Sequence, residues 1–278
     1  MLPAHARIKE TLATLERLLA CEPAPAEILV HVATSQTAMR EALQRNFPGI
    51  RMVLSEENLG PGGARNRMLK AARNEIVASF DDDSYPEQST FFKELSDTFA
   101  RLPEASILAL NIREPSGRAY GQMGAPREVA TFVGCGCAYR RSHFLEGEGY
   151  VPIPVAYSME EADLALRYAA RERKIYYAPN LCVFHDTALQ HHSTSKVAGM
   201  QIANTALFAF LRYPPSRWPL GLAQVGNKWV DTVRRGRCMG AVASFPFMVT
   251  QLWKYRKYRA TVPVPVLDRC RELAKGAL

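Results

Sequence analysis

The sequence predicts an α/β fold in which helices flank a mixed, mostly parallel sheet, followed by a basic helical C-terminal region. Apolar runs of strand length alternate with segments of helical period over residues 7–112. An acidic triplet at residues 81–83 directly follows one of these apolar runs. Residues 201–278 contain 13 Lys/Arg and 3 Asp/Glu, a balance of +10, whereas residues 1–200 have a balance of −2. The change in charge predicts a domain over 1–200 and a basic amphipathic helical region over 201–278.

The predicted elements follow one another without a long gap. Leucines at helical spacing predict a helix over residues 7–20, which Pro23 and Pro25 end. The further predicted helices span residues 39–46, 64–72 and 91–102, and the predicted strands span 28–32, 51–54, 75–80 and 107–112. Strands that alternate with helices favour parallel pairing, and ligands in such sheets bind beyond the carboxyl ends of the strands. The acidic triplet is therefore predicted to lie at a ligand-binding edge.

Length and composition limit the class of protein. The chain has 278 residues, of which 47% are hydrophobic and 22% are charged, and this excludes a disordered or fibrous protein. Six scattered cysteines are too few for a disulfide scaffold and indicate a reducing compartment. No apolar run reaches the roughly 18–20 residues of a membrane span, and the start lacks the apolar segment of a secretory signal. We expect a cytoplasmic protein, or one that is peripheral on the cytosolic face of the inner membrane.

The basic C-terminal region combines cations with large apolar residues. Residues 240–253 carry no charge, and Lys254, Arg256, Lys257 and Arg259 follow them. An apolar run that is too short to span a bilayer but has flanking cations is typical of a helix on an anionic membrane surface. A buried helix with a solvated basic end is the alternative. Nucleic acid is not an expected partner, because no recognised binding motif accompanies the charge.

The acidic triplet Asp81, Asp82 and Asp83 predicts a divalent metal site. Three adjacent carboxylates repel one another unless a cation neutralises them. Mg²⁺ and Mn²⁺ take oxygen ligands, often one or two carboxylates together with substrate phosphates. A solvated acidic turn that caps the next helix, with Ser84 as the cap, is the alternative.

Two further motifs contain candidate binding and catalytic residues. The segment 58–66, N-L-G-P-G-G-A-R-N, places glycines before a predicted helix, where backbone can approach a ligand and a helix N-terminus attracts anions. Helical spacing puts Glu160, Asp163 and Arg167 on one face, where a carboxylate can serve as a general base. Acidic residues at a helix start also stabilise the helix by themselves, and this is the alternative.

Four motifs together resemble the family 2 glycosyltransferases. They are the segment 58–66, the triplet at 81–83, the segment 134–141 (G-C-G-C-A-Y-R-R) and the segment 160–167 (E-E-A-D-L-A-L-R). Their order and spacing match that family over about residues 8–190. The resemblance implies a Rossmann-like GT-A fold and a metal-dependent, inverting transfer of a sugar from a nucleotide sugar. The basic region looks like that of bacterial members that build surface polysaccharides, often rhamnosyltransferase-like.

The resemblance also implies which residues hold the metal and the donor. It places Mg²⁺ or Mn²⁺ on Asp81 and Asp83 against the donor diphosphate, with Asp82 near the sugar or ribose. His185 is a further candidate, as a ligand of the metal or a contact of the diphosphate. The remaining residues that it places along the donor or substrate are Asn58, Gly60, Gly63, Arg65, Asn66, Gly134, Cys135, Gly136 and Arg167.

The catalytic residues implied by the resemblance lie in the segment 160–167. Glu160 and Glu161 stand where the family carries a Glu-Asp pair, whose second member usually acts as the base. Glu161 is therefore the expected base, with Glu160 as its rival. The base deprotonates an acceptor hydroxyl, which attacks the anomeric carbon in one inverting displacement. Asp163 completes the catalytic group, and with Arg167 it organises the helix and the acceptor site.

Cysteine and histidine offer alternative metal sites that we do not favour. Cys135 and Cys137 are interpreted as small packing residues. His185, with Asp186, His191 and His192 close in sequence, forms a conceivable zinc cluster, whereas a lone histidine in this position is usually structural.

Two departures from the family pattern concern the nucleotide. The family begins with an apolar strand, whereas this sequence begins at the following helix. The first strand is therefore expected to be absent, which indicates either a start further upstream or a truncated protein. The strand over 28–32 leads in the family to an Asp, but Ala33 stands there instead.

We therefore expect an inverting glycosyltransferase of the hexosyltransferase type. It transfers a sugar from a UDP-, dTDP- or GDP-linked donor to a glycan or lipid-linked acceptor. A non-catalytic relative that keeps the fold and binds sugar or a partner is the first alternative. A nucleotidyltransferase-like enzyme, which would release pyrophosphate from a nucleoside triphosphate, is the second.

Overall fold

The computed structural model describes residues 1–120, 123–154, 159–186 and 194–275, except for the side chain of Tyr120. Two compact units divide the chain. The first unit comprises the described residues of Met1–Pro154, Arg173–Thr187 and Leu273–Leu278. The second unit comprises those of Val155–Glu172 and Ala188–Glu272. The charge-based boundary near residue 200 stays a prediction.

A small parallel sheet lies at the start of the first unit. Its strands are β1 (Leu2–Pro3), β2 (Leu29–Ala33) and β3 (Arg51–Ser55), in the order β1-β2-β3. Leu2 pairs with Val30 in the register of β1 and β2. Parallel strands need a crossover connection, and the helices between these strands supply it.

The first strand, which was expected to be absent, is present in residues 1–3. The Met1 carbonyl accepts a hydrogen bond from the Phe80 N–H at 3.0 Å, and the Met1 amino group donates to the Ala78 carbonyl at 2.8 Å. Residues 1–3 therefore bond to β2 on one side and to the strand of residues 76–80 on the other. The expectation was wrong because two residues are too few to give a strand pattern in the sequence, although they suffice to fill this position.

The larger sheet of the first unit is mixed. Its strands are β4 (Ile76–Phe80), β5 (Ser84–Pro86), β6 (Ala105–Arg113), β7 (Ala119–Tyr120), β8 (Arg127–Glu128), β9 (Gly136–Arg140) and β10 (Lys174–His185). The order is β4-β9-β6-β10-β5, with β7 on β6 and β8 on β10. β10 runs parallel to β6, whereas β9 is antiparallel to β4 and β6, and β5 is antiparallel to β10. Because His185 pairs with Ser84, the end of β10 reaches the residues that follow β4.

Five helices in the described part of the first unit flank these sheets. They are α1 (Ile8–Leu19), α2 (Thr37–Asn46), α3 (Gly60–Ala71), α4 (Phe91–Arg101) and α5 (Arg141–Leu145). Leu15 and Leu18 of α1 pack with Phe91 and Phe99 of α4 and with Leu108 of β6 in one buried core. The helical and strand periods put these apolar side chains on a common face, and their burial is the main stabilising contribution.

The predicted α/β fold with helices around a mixed sheet is confirmed. Most observed helix and strand bounds lie within a few residues of the predicted ones. The glycine-rich segment differs, because α3 already begins at Gly60 rather than at residue 64. Pro61 occupies the first turn of α3, where a missing N–H costs nothing.

The second unit is helical. Its helices are α6 (Glu160–Ala169), α7 (Ser195–Arg212), α8 (Trp218–Arg234), α9 (Cys238–Tyr255) and α10 (Val264–Lys275), whose last residues belong to the first unit. α7 packs against α8 and α9. A Cβ on Gly199 of α7 would lie 2.6 Å from the carbonyl oxygen of Gly240 in α9. Helices α7 and α9 therefore approach closely only because both residues are glycine. Across the described helices, none combines the length and the apolar character that crossing a bilayer requires.

Candidate active site

Asp81 lies directly after β4, where the end of the strand places its carboxylate at the edge of the sheet. Arg65 of α3 donates to this carboxylate at 2.7 Å. Arg65 is buried and also donates from Nε to Ser79 Oγ at 3.1 Å. The guanidinium of Arg65 is closed to solvent and holds Asp81 in position. The contact of Arg65 with the donor, which the resemblance implies, stays a prediction.

Arg7, the residue before α1, pairs with the other two carboxylates. Its guanidinium bonds both oxygens of Asp82 and donates to Asp83 at 2.6 Å. Burial raises the pKa of Asp82 to about 6, although the contact with Arg7 acts in the opposite direction. Burial also opposes the charge of Arg7, but its two carboxylate partners outweigh this effect and raise its pKa. The three carboxylates of this cluster therefore face two guanidinium groups, those of Arg7 and Arg65.

His185 completes the cluster from the end of β10. Its Nε2 lies 3.3 Å from Asp83 Oδ1. Burial disfavours a charged imidazole, but Asp83 outweighs this effect and raises the pKa of His185. Burial likewise disfavours a charged Asp83, yet His185 and Arg7 together lower the pKa of this carboxyl. The two side chains therefore stabilise each other in their charged forms.

Asp81, Cys135 and His185 form a group that could hold a metal ion. Each offers one ligand atom, and these atoms lie within 4.8 Å of one another. Carboxylate and imidazole suit Mn²⁺, and carboxylate suits Mg²⁺, whereas a thiol is a soft ligand that neither ion prefers. The donor set thus fits a divalent cation on Asp81 and on the neutral imidazole of His185, with Asp83 beside them. The resemblance to the family places Cys135 along the donor and not on the metal.

The glycine-rich segment holds the loop of residues 150–154. A Cβ on Gly60, whose φ is +66°, would lie 2.3 Å from the Ile153 carbonyl oxygen. Asn58 Oδ1 accepts from the Gly60 N–H at 3.0 Å. The Asn66 amide donates to the Tyr150 carbonyl and accepts from the Tyr150 N–H, both at 2.8 Å. These contacts give a packing reason for residues that the resemblance had placed along the donor.

Gly63, which the resemblance also placed along the donor, has a similar packing reason. Its Cβ would lie 2.8 Å from the Leu59 Cβ, so a larger residue at this position would displace the start of α3.

The segment 134–137 is also buried. A Cβ on Gly136 would lie 2.6 Å from the Ile112 side chain. Ser84 Oγ donates to the Cys135 carbonyl at 2.8 Å, which ties this segment to the residue after the triplet. Gly134 is buried beside them, and Cys137 Sγ lies 3.1 Å from Tyr139 Oη. The interpretation of Cys137 as a packing residue agrees with this position.

The predicted catalytic residues lie in the second unit, on α6. Glu160 is buried, whereas Glu161 is partly exposed. Both are in the first turn of the helix, where negative charge is favourable. Of the two, Glu161 has the greater access to solvent.

Asp163 is enclosed by two arginines. Arg167 donates from Nη2 to Asp163 Oδ2 at 2.7 Å. Arg212 of α7 pairs with the same carboxylate through Nε, and donates to the carbonyl oxygens of Tyr258 at 2.8 Å and Ala260 at 3.2 Å. Asp163 and Arg212 are both buried. Arg212 connects α6 to α7 and to the segment before α10. It therefore joins Asp163 and Arg167 as a third residue of the group that is predicted to organise the helix.

Arg7 and Arg212 are the residues that sequence reasoning missed. Arg7 is 75 residues from Asp82, and Arg212 is 49 residues from Asp163. A cationic residue at the start of a predicted helix was the available signal for Arg7, but it indicated no partner. His191 and His192, the conceivable zinc ligands, lie outside the described residues.

Solved glycosyltransferase structures share this fold. GalNAc-T7 with UDP, GalNAc and Mn²⁺ has a TM-score of 0.59 at 12% identity, over 77% of this chain and 47% of that one. The mannosyltransferase PcManGT from Pyrobaculum calidifontis with GDP-Man and Mn²⁺ has a TM-score of 0.56 at 16% identity, over 99% and 78%. S. aureus TarS 1–349 with UDP-GlcNAc has a TM-score of 0.53 at 16% identity, over 92% and 90%. The fold is thus the GT-A fold of glycosyltransferases, and this chain spans about half the length of the GalNAc-T7 structure.

The sequence assigns the family. The profile described as glycosyl transferase family 2 matches residues 1–146. The chain belongs to glycosyl transferase family 2. The comparison with curated proteins found no match.

Proposed function

We propose that this protein is an inverting, metal-dependent glycosyltransferase that uses a nucleotide sugar. The observation that carries the proposal is the acidic cluster after β4, in which Asp81 and His185 offer ligand atoms within 4.8 Å of each other. Family membership supports glycosyl transfer and disfavours the nucleotidyltransferase alternative. One argument for a non-catalytic relative was the absent first strand, and residues 1–3 fill that position.

Asp81, Asp83 and His185 are the residues that would hold Mg²⁺ or Mn²⁺. A bound divalent cation would neutralise the diphosphate of the leaving nucleotide. Arg65 keeps the Asp81 carboxylate in place for this role, and Arg7 offsets part of the charge of Asp82 and Asp83. The neighbours with UDP, GDP-Man or UDP-GlcNAc support a nucleoside diphosphate sugar as the donor class.

Glu161 is the proposed general base. Its partial exposure allows an acceptor hydroxyl to reach it, whereas Glu160 is buried. Deprotonation of the hydroxyl at Glu161 accompanies its attack on the anomeric carbon, and the nucleoside diphosphate leaves from the opposite face. Asp163, Arg167 and Arg212 fix the helix that carries the base.

The acceptor is proposed to be a glycan or a lipid-linked glycan of the cell envelope, glycosylated on the cytosolic face of the membrane. The high density of cations in residues 201–278 supports an anionic surface near the acceptor.

The experiment that tests the donor class is calorimetric titration of the full chain with UDP, dTDP and GDP, with and without Mn²⁺. We expect one nucleotide to bind, and to bind more tightly when Mn²⁺ is present. A folded sample that binds none of the three nucleotides would exclude this function.

The metal assignment is tested with Asp81→Asn. This change keeps the shape of the side chain and removes a cation ligand, so the Mn²⁺-dependent part of nucleotide binding should fall by about tenfold or more. Asp186→Asn is the matched control, because this exposed carboxylate follows His185 directly. Equal nucleotide affinity of the two variants in Mn²⁺ would contradict the assignment.

The base assignment is tested with Glu161→Gln and Glu160→Gln. Loss of a general base lowers the rate of sugar transfer by roughly 10²–10⁴-fold, whereas the donor still binds. We expect this loss in Glu161→Gln. Normal transfer by that variant, together with loss in Glu160→Gln, would identify the other carboxylate as the base.

A further inference from the structure

Helix α9 exposes a continuous apolar face. Its residues are Met239, Val242, Phe245, Val249 and Trp253, and between 58% and 75% of the surface of each is exposed. Their spacing of three or four residues places them along one side of the helix. Single exposed apolar residues are normal on a protein surface, but a row of five on one helix needs a partner.

The opposite side of α9 is already occupied. Gly240, Ala241, Ser244 and Tyr255 are buried, and the helix packs against α7. Lipid therefore cannot surround this helix, and it also lacks the length and apolar character of a membrane span. The exposed face can only rest on a surface that lies beside it.

Cations flank this face at both ends. Residues 234–259 contain seven Lys/Arg and no Asp/Glu. In the described part of the chain, Arg234, Arg237, Lys254 and Lys257 have no carboxylate partner. The guanidinium of Arg256 lies over the Trp253 ring, 4.4 Å from its centroid. A positive charge therefore lies directly beside the last residue of the apolar face.

We propose that this face of α9 docks in the plane of an anionic lipid bilayer. The apolar side chains would enter the boundary between headgroups and acyl chains, where such helices reach about 5–10 Å deep. The cations at each end would contact the headgroup phosphates. An aromatic residue beside a cation, as in Trp253 and Arg256, suits this depth because one part is apolar and the other is hydrated.

Charge distinguishes this partner from two others. A second copy of the chain would bring its own seven cations toward these seven, and like charges oppose association. A nucleic acid offers phosphates but no apolar surface for the centre of the face. An anionic bilayer matches both the apolar centre and the basic ends.

The test is cosedimentation of the full chain with phosphatidylcholine vesicles that contain or lack phosphatidylglycerol. We expect binding to the anionic vesicles, weaker binding at higher salt, and little binding to phosphatidylcholine alone. Val242→Ser with Val249→Ser should weaken binding by about tenfold, since two exposed aliphatic side chains are lost. Leu19→Ser with Leu145→Ser, which removes two exposed leucines from the first unit, should bind as the natural chain does.

A second pair of variants tests the cations. Lys254→Gln with Lys257→Gln should weaken binding roughly fivefold for each charge removed, whereas Lys9→Gln with Lys70→Gln should leave it unchanged. No binding of the natural chain to anionic vesicles, or equal binding by the Val242/Val249 variant and its control, would overturn the proposal. Dimerisation that depends on this face, without vesicle binding, would assign it to a second copy. Nucleotide titration of the same samples keeps this result separate from the proposed catalytic function.

Discussion

Asp163 and Arg212 form an ion pair that is almost closed to solvent. Their side chains are 1% and 0% exposed. A buried charge without its partner is strongly unfavourable, so each residue depends on the other. Since Asp163 is two residues from Glu161, the pair also sets where the proposed base stands.

Arg212→Met is expected to lower the free energy of unfolding by about 3 kcal/mol, because Asp163 loses a buried partner. Arg167 stays within 2.7 Å of Asp163 and limits the loss. Urea unfolding followed by tryptophan fluorescence measures this, since Trp218, Trp229 and Trp253 all lie in the second unit.

The control for Arg212→Met is Asp268→Asn, which breaks the partly exposed pair between Arg217 and Asp268. Exposed pairs contribute roughly 0–1 kcal/mol, so this variant should unfold close to the natural chain. A loss in Arg212→Met no larger than in Asp268→Asn would show that the buried pair does not support the second unit.

At the level of elements, the start of α3 depends on one glycine. Gly60 combines a φ of +66° with an approach that leaves no space for a Cβ beside Ile153. Gly117 has a similar φ of +79°, but no atom lies within 4 Å of its Cβ position. The two residues thus separate the effect of backbone conformation from the effect of steric contact.

Gly60→Ala should destabilise the first unit by about 2 kcal/mol more than Gly117→Ala, since both pay the left-handed backbone cost and only the first adds a clash. Urea unfolding followed by far-UV circular dichroism gives the difference. If the two variants unfold at the same urea concentration, the loop of residues 150–154 is not packed on α3 as described.

The sequence predicted elements where a local pattern exists and failed where pairing is distant. Leucine periodicity was enough for α1, and Asp81 was placed correctly after β4. β10 was not predicted as a whole strand, because Pro179 and Asn180 interrupt its apolar pattern at a register shift. β1 was missed because Met1 bonds to Ala78, which is 77 residues away in the sequence. The roles of Arg65 and Asn66 depend on packing that no motif encodes.

At the scale of the whole molecule, stability should depend on pH through one histidine of the small parallel sheet. His31 of β2 is buried, and its burial and the charge of Arg67 lower its pKa. Below the ordinary value of about 6.5, the unfolded chain therefore takes up a proton more readily than the folded one. His31 therefore lowers the free energy of unfolding as the pH falls through about 6.5.

His31→Gln should remove that loss. The free energy of unfolding of the natural chain should fall more steeply between pH 7 and pH 5 than that of the variant, by at most about 1.4 kcal/mol per pH unit. Urea unfolding at several pH values measures both slopes. Parallel slopes would mean that His31 titrates alike in the folded and unfolded chains.

The cysteines described above differ in their access to reagents. Cys21, Cys135, Cys137 and Cys182 are buried, Cys270 is partly buried, and Cys238 is exposed. Burial also raises the pKa of Cys21 and Cys182, so less of the reactive thiolate forms there. A maleimide dye added to the natural chain will therefore attach first at Cys238, the residue that begins α9. Cys238 is thus a natural labelling site one residue from Met239. A dye at Cys238 whose fluorescence responds to polarity would report on the surroundings of α9.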